Sequence, residues 1–470
     1  MLSKTNVYII LFFSFLTIGI NILLFKNNAI DYIYIITNYI FIVISVLLTH
    51  KLYFYLINSS PNNFKRNIFF VSLILRVFVI LILYYYFYEY WGVDLYVEEY
   101  DTVFYDQIAR DISEFIKTGK FNFTALVFKI QFDDLGYISI LSVIYSIYDS
   151  VLFAKIVQAI FSSWSVILMY QIGAYAFNEK AGKIAAILAS SFMPLVIFSF
   201  LHTKETFMLF FILLFIKKSY DFIFKKIRFR DLFILFVSLV FVFSMRTILG
   251  GILLSSFLFF LFVNSNQISR QRKFYIGSVV TIMAIFVLQN AFFSEVIAKV
   301  LAYAGIGGDE IKTGGRSAGG IANSGQAAAA AADAPLLLGI SVSTPFPSMV
   351  KTNISYYNFT MQWIFFGGLL VWAYLTYYVY YGIYYSLKRY FKQSSIILSS
   401  SLIYMVALIA STYITSIRFS IVKVTLFIFF YAVGIQSKPY KKREFLIFVI
   451  FMSLLIIVWN YIKLAGRGMI

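Results

Sequence analysis

Carboxylates crowd one interval of a chain otherwise written largely in Ile, Leu, Phe, Val and Tyr. Asp94, Glu98, Glu99, Asp101, Asp106, Asp111 and Glu114 all fall between Trp91 and Tyr137. Ionised carboxylates are costly in or beside hydrocarbon, so such a cluster between two apolar segments must face water or a polar cavity. A carboxylate placed there can accept a proton from a hydroxyl or hold a hard cation. Asp101 opens a stretch, Asp101 to Lys117, that sets Phe104, Ile108, Ile112, Phe115 and Ile116 on one side. That spacing predicts an amphipathic helix lying at a membrane surface. Asp101 is thus the first candidate base, with helix N-capping as the ordinary alternative, and Glu98 and Glu99 stand next to it. Lys204-Glu205 is a basic–acidic pair at the end of an apolar run, rare at that depth unless paired or functional; the bland reading is a snorkelling pair. Arg246 ends another run, and a guanidinium stays charged and grips phosphate oxygens with a planar fork. An interfacial arginine with no further role looks the same. Arg418 and Lys423 are secondary candidates, and Asp133 and Asp134 read as polar turn residues.

Metal chemistry is narrowed by composition. There is no cysteine, and only His50 and His202 are present, which argues against thiolate and histidine sites. Oxygen ligands suited to Mg²⁺ or Mn²⁺ remain at Asp101, Glu98 or Glu205.

The elements that must position these residues are membrane helices. Hydrophobic residues make up 61% of the 470 positions and charged residues 13%, with mean hydropathy +0.84. A soluble chain would carry about a quarter charged residues. On a ruler of about 20 apolar residues per crossing, spans are expected near 7–25, 31–50, 67–88, 152–177, 181–201, 205–217, 231–247, 249–263, 274–292, 360–386, 394–413, 417–435 and 444–463. The first lacks a cleavage site and is kept as a helix. The fold class expected is therefore an all-α polytopic membrane protein with about 13 transmembrane helices. Gly250-Gly251 is read as a tight turn between two spans. The segment 136–148 is too short to cross and reads as an interfacial helix.

The net charge of +18 is not a nucleic-acid signature, because the basic residues gather in short clusters between apolar runs. Lys51, Lys65 and Arg66; Lys217 to Arg230; Arg270, Arg272 and Lys273; Lys388, Arg389 and Lys392; and Lys438 to Arg443 all share one side if the N-terminus is cytoplasmic. The acidic loop 91–135 then lies outside the cytoplasm. The expected location is a bacterial cytoplasmic (inner) membrane, crossed many times, with an extracytoplasmic active site. Four regions follow: 1–66, two extra N-terminal helices; 67–292, a transmembrane module with the active-site loop 91–135; 293–358, a Gly-, Ala- and Ser-rich external loop expected to be mobile; and 359–470, the C-terminal helices.

Several stretches in this order resemble the GT-C superfamily of polyprenyl-phosphate-dependent glycosyltransferases. The likeness is to glycosyltransferase family 39, which includes protein O-mannosyltransferases and the aminoarabinose transferase of lipid A. EYDTVFYDQIARDI resembles the family's first-loop pattern at Asp101, Tyr105 and Ala109. KIQFDDLGYISILSVIYSIYDSVLFAKIVQAIFSS, lacking the usual Pro, Gly and Arg, and YQIGAYAFNEKAGKIAAILASSFMPLVIFSFLHTKET are similar to the next two. MRTILGGILL and ITSIRFSIVKVTLFIFFYAVGI complete the series. Together they cover roughly 70–265 and a tail near 415–435.

The resemblance implies a GT-C-like fold whose first external loop carries surface helices and the active site. It implies an inverting transfer of a sugar from a polyprenyl-phosphate carrier to a glycan, lipid or protein acceptor, with no nucleic-acid partner. Asp101 would be the base and Glu205 a second catalytic carboxylate. Lys204, Arg246 and Lys129 would bind the lipid phosphate, Lys129 by its place before the short helix. Tyr105 could stack on the sugar. Two other readings are open. A polysaccharide polymerase or ligase would work through arginines of 293–357, where only Arg316 is available. A lipid-linked sugar flippase should show paired halves with interrupted helices, and no such symmetry is visible.

Overall fold

In hydrocarbon, backbone N–H and C=O groups can be satisfied only by one another, so long apolar runs coil into helices. The computed structural model describes residues 4–25, 32–92, 94–95, 100–119, 132–225, 228–267, 339, 341–347, 356–410, 416–437 and 441–465. Among these residues there are 15 α-helices and no strand. In chain order they are α1 (Lys4–Leu24), α2 (Tyr32–Leu56), α3 (Pro61–Trp91), α4 (Tyr100–Thr118), α5 (Phe132–Ile147), α6 (Val151–Ala176), α7 (Glu179–Ser191), α8 (Met193–Phe198), α9 (Glu205–Phe224), α10 (Phe229–Met245), α11 (Thr247–Val263), α12 (Tyr356–Arg389), α13 (Phe391–Ala410), α14 (Ile417–Ser437) and α15 (Lys442–Ala465). Seven of them, α1, α2, α3, α6, α13, α14 and α15, are long and apolar enough to cross a membrane. The protein is an all-α polytopic membrane protein.

The expected span 181–201 is broken. Pro194 has no N–H, so the carbonyl of Ser190, four residues earlier, loses its helical partner. Helix α7 ends at Ser191, and α8 restarts after the extended residue Phe192. Arg76, fully buried in α3, fills the gap: Nη1 donates to Ser190 O at 3.2 Å and Nη2 to Ala189 O at 3.3 Å. Its Nε donates to Ser162 Oγ at 2.6 Å, and Ser45 donates to Ser191 O at 3.0 Å. A guanidinium in the middle of a span is held at the negative end of a helix dipole.

The turn between α10 and α11 falls at Arg246 rather than at Gly250-Gly251, which lie inside α11. Arg246 is extended (φ −163°, ψ 100°), so one residue reverses the chain. Gly250 instead allows close approach, since a Cβ there would fall against the ring of Phe243. At the other end of α9, Tyr220 donates to Gln393 O at 2.6 Å and Lys218 pairs with Asp231 at 2.5 Å. The basic residues therefore gather at the opposite end of α9 from Glu205, its first residue.

Residues 341–347 belong to the stretch read from the sequence as external loop, yet all but Phe346 are buried between helices. Lys423 of α14 donates to Ser341 O at 2.8 Å and Thr344 Oγ1 at 2.7 Å, and Ser343 bonds Thr376 of α12 at 2.9 Å. Irregular backbone at this depth persists because neighbouring side chains satisfy its polar groups. Residues 274–292, read as a span, lie outside the described residues.

Candidate active site

The amphipathic stretch is α4, packed on the short α5, which in turn rests on α10. Its buried side is Thr102, Tyr105, Asp106, Ala109, Ile112 and Ser113, whereas Phe115 and Ile116 remain exposed. Two polar members of that side, Tyr105 and Asp106, make hydrogen bonds that fasten α4 to its neighbours. Tyr105 donates to Asp134 Oδ1 at 2.7 Å. Tyr145 donates to Asp106 and lies 3.2 Å from His202 Nε2, while Arg110 Nε donates to Asp106 Oδ2 at 2.9 Å. Burial first, and then the charge of Asp134, pushes the Tyr105 hydroxyl well above the usual tyrosine range. Burial and Asp106 do the same for Tyr145. Burial, with Lys155 and Arg110 adding to it, holds His202 well below the ordinary histidine range, so its ring is neutral.

This docking brings Asp101 to the start of α9 and α14. Arg418 Nη1 donates to Asp101 Oδ2 at 2.9 Å, and Arg418 Nε to Glu205 Oε1 at 2.6 Å. The same Glu205 oxygen takes Arg246 Nη2 at 3.4 Å. Glu205 is completely buried, whereas the Asp101 side chain is 50% exposed. Within this ion-pair group, the buried atoms Glu205 Oε2 and Arg246 Nη1 have no partner among the described residues. Arg246 also stacks its guanidinium 4.2 Å from the centre of the Phe419 ring.

Lys204 belongs to a second arm of the cluster. Its Nζ donates to Asp134 Oδ1 at 2.5 Å and to Asp133 O at 3.0 Å. Burial lowers its pKa from the usual lysine value and the charge of Arg246 adds to the effect, with Asp134 opposing both. Asp133 accepts from Thr247 N at 2.9 Å and from the Thr247 hydroxyl. It thereby serves as a cap for α11 supplied by another helix.

The structure thus brings Asp101, Lys204, Glu205, Arg246, Tyr105 and Arg418 to one end of the bundle. Tyr105 is buried and committed to Asp134, so its ring has no face open for a sugar. Lys129, Glu98, Glu99 and Arg316 lie outside the described residues. Asp133 and Asp134, read as turn residues, are instead partners of Thr247 and Lys204. The signal available was their adjacency at the mouth of a short helix facing the same end as Lys204. Of the oxygen ligands considered for Mg²⁺ or Mn²⁺, Glu205 shares one oxygen between two guanidiniums, whose charge opposes a dication there. Asp101 keeps water access.

A family model described as dolichyl-phosphate-mannose-protein mannosyltransferase matches residues 136–289. The match supports a membrane glycosyltransferase of the GT-C type. The matched region contains Lys204, Glu205 and Arg246, and stops short of Asp101 and Arg418 on either side. No curated protein matches the chain. For a GT-C glycosyltransferase, a membrane setting and a lipid-linked sugar donor follow from the family.

Proposed function

We propose that this glycosyltransferase moves a sugar from a polyprenyl-phosphate carrier to a hydroxyl of a glycan, lipid or protein acceptor, with inversion, on the extracytoplasmic face. The observation that carries the reading is the meeting of Asp101, Arg418, Glu205 and Arg246 through one chain of ion pairs, at the end of α9 away from the basic residues.

The chemistry requires a proton acceptor for the incoming hydroxyl and positive charge for the departing phosphate. Asp101, half exposed at the edge of the cluster, can reach a hydroxyl arriving from water. In a single displacement the acceptor oxygen bonds the anomeric carbon as the bond from that carbon to the phosphate oxygen breaks. The hydroxyl proton passes to Asp101, and the bonding electrons leave with the phosphate. Arg246, whose buried Nη1 has no partner among the described residues, receives the developing charge in a region that water screens only slightly. Glu205 holds the two arginines in register and is a positioning group in this scheme. Lys204 adds a third positive charge next to Arg246.

The test is reconstitution in lipid with a panel of polyprenyl-phosphate sugars and mass-spectrometric detection of product. A general base contributes about 10²–10⁴-fold, so Asp101→Asn should reduce transfer by about that factor. Undiminished transfer by Asp101→Asn removes the base assignment.

A further inference from the structure

Three cations and three carboxylates of this cluster are tied to one another in the described structure: Lys204 with Asp134, Arg246 with Glu205, and Arg418 with both Glu205 and Asp101. An anionic phosphate entering such a balanced group has to take a cation from a carboxylate. The pairs differ in how readily they yield. Glu205 is fully buried between two guanidiniums, and stripping a partner from a buried carboxylate leaves an uncompensated charge. Lys204 and Asp134 are only 9% and 16% exposed, and Tyr105 also holds Asp134. Asp101 is different. Half its side chain is in water, so a released Asp101 is solvated at once, and an exposed ion pair is weak.

We propose that the phosphate of the lipid donor displaces Asp101 from Arg418, so that the base is set free only after the donor has bound. The inference rests on the transferase reading and adds an order of events to it. Without donor, the Oδ2 atom of Asp101 is engaged by Arg418 Nη1 at 2.9 Å, so that oxygen does not meet an acceptor hydroxyl. Arg418 Nε stays on Glu205 at 2.6 Å, which keeps the guanidinium in place while Nη1 changes partner from carboxylate to phosphate. Arg246 Nη1, without a partner among the described residues, supplies the second contact. Donor therefore binds first and acceptor second, and Asp101 is spared from competing with phosphate for the same charge during transfer.

The experiment uses the full-length protein in nanodiscs, with polyprenyl phosphate, the leaving group without sugar, as the probe. Binding is followed by thermal shift. Accessibility of Asp101 is read by carbodiimide-driven coupling of an amine and peptide mass spectrometry, with the exposed Asp111 as internal reference. An exposed pair shifts an equilibrium by a few-fold, so coupling at Asp101 should rise roughly threefold on binding while Asp111 is unchanged. Arg418→Gln should show the high coupling level with or without lipid. Binding of polyprenyl phosphate with unchanged or reduced coupling at Asp101 overturns this inference and leaves the transferase reading standing, as does low coupling in folded Arg418→Gln. Failure of polyprenyl phosphate to bind removes the transferase reading and the inference with it.

Discussion

Replacing Glu205 by Gln removes a charge that two arginines share. The carboxylate is completely buried, while Arg418 and Arg246 are 14% and 11% exposed, so water can screen the guanidiniums only slightly. Removing one partner of a buried ion pair costs about 3–5 kcal/mol. The amide oxygen of Gln can still accept from Arg418, and the slight exposure of the arginines trims the effect, so about 3 kcal/mol is the expected loss in this background. In a chain of this length each kcal/mol moves the midpoint by roughly 1 °C. Thermal unfolding of detergent-solubilised Glu205→Gln should therefore come about 3 °C below the parent. The decisive comparison is the double variant Glu205→Gln/Arg418→Gln. Eliminating both charges of a buried pair is often near neutral, so adding Arg418→Gln should return part of what Glu205→Gln alone loses. Strict additivity of the two losses, or a Glu205→Gln protein with unchanged midpoint and undiminished transfer, would refute the claim that this carboxylate organises the site.

Other expectations follow from neighbouring contacts. Lys204 carries a pKa below the usual lysine range through burial and Arg246, and its protonated form is the one that can hold phosphate. Raising the pH removes that proton earlier than from a free lysine, so transfer should decline on the alkaline side, and Lys204→Arg, which stays charged, should move the decline to higher pH in a pH–rate profile. Tyr145→Phe deletes the hydroxyl linking Asp106 and His202; hydrogen exchange across α4 should accelerate by about fivefold or more, as expected for a lost buried hydrogen bond of about 1–3 kcal/mol. Arg76→Met leaves the carbonyls of Ala189 and Ser190 without side-chain donors and should abolish monodisperse protein by size exclusion. Adding Pro194→Ala returns an N–H to Ser190 O and should recover a measurable folded fraction.

The helices were legible because long apolar runs leave the backbone no alternative to coiling, and α4 was legible from its period. What failed did so where a single residue met a distant partner. The Pro194 break was hidden because Arg76, which satisfies it, sits 114 residues away. Gly250-Gly251 looked like a turn, yet the reversal falls at Arg246, since the glycines serve the ring of Phe243. At the site, Asp101, Lys204, Glu205 and Arg246 stood out as charges beside hydrocarbon. Asp133 and Asp134 did not, because two aspartates before a helix have an ordinary local use, and only the fold shows that one caps α11 and the other holds Lys204. Arg418 carries no local signal of its role, since its two carboxylates are 213 and 317 residues distant.

Arg76 also constrains how the chain is made. Its helix leaves the ribosome long before residues 189 and 190 exist, and at about 5–20 residues per second the 114-residue gap to Ser190 lasts roughly 6–23 s. A lone arginine at the centre of a nascent helix costs about 2.5–3.5 kcal/mol to leave in lipid. Ser162 arrives earlier, 86 residues after Arg76, so α6 offers the first shelter and the C-terminal carbonyls of α7 the second. Biogenesis is in this way given a sequence of docking events, and stalling translation between these two arrivals should yield an α3 that still depends on the insertion machinery.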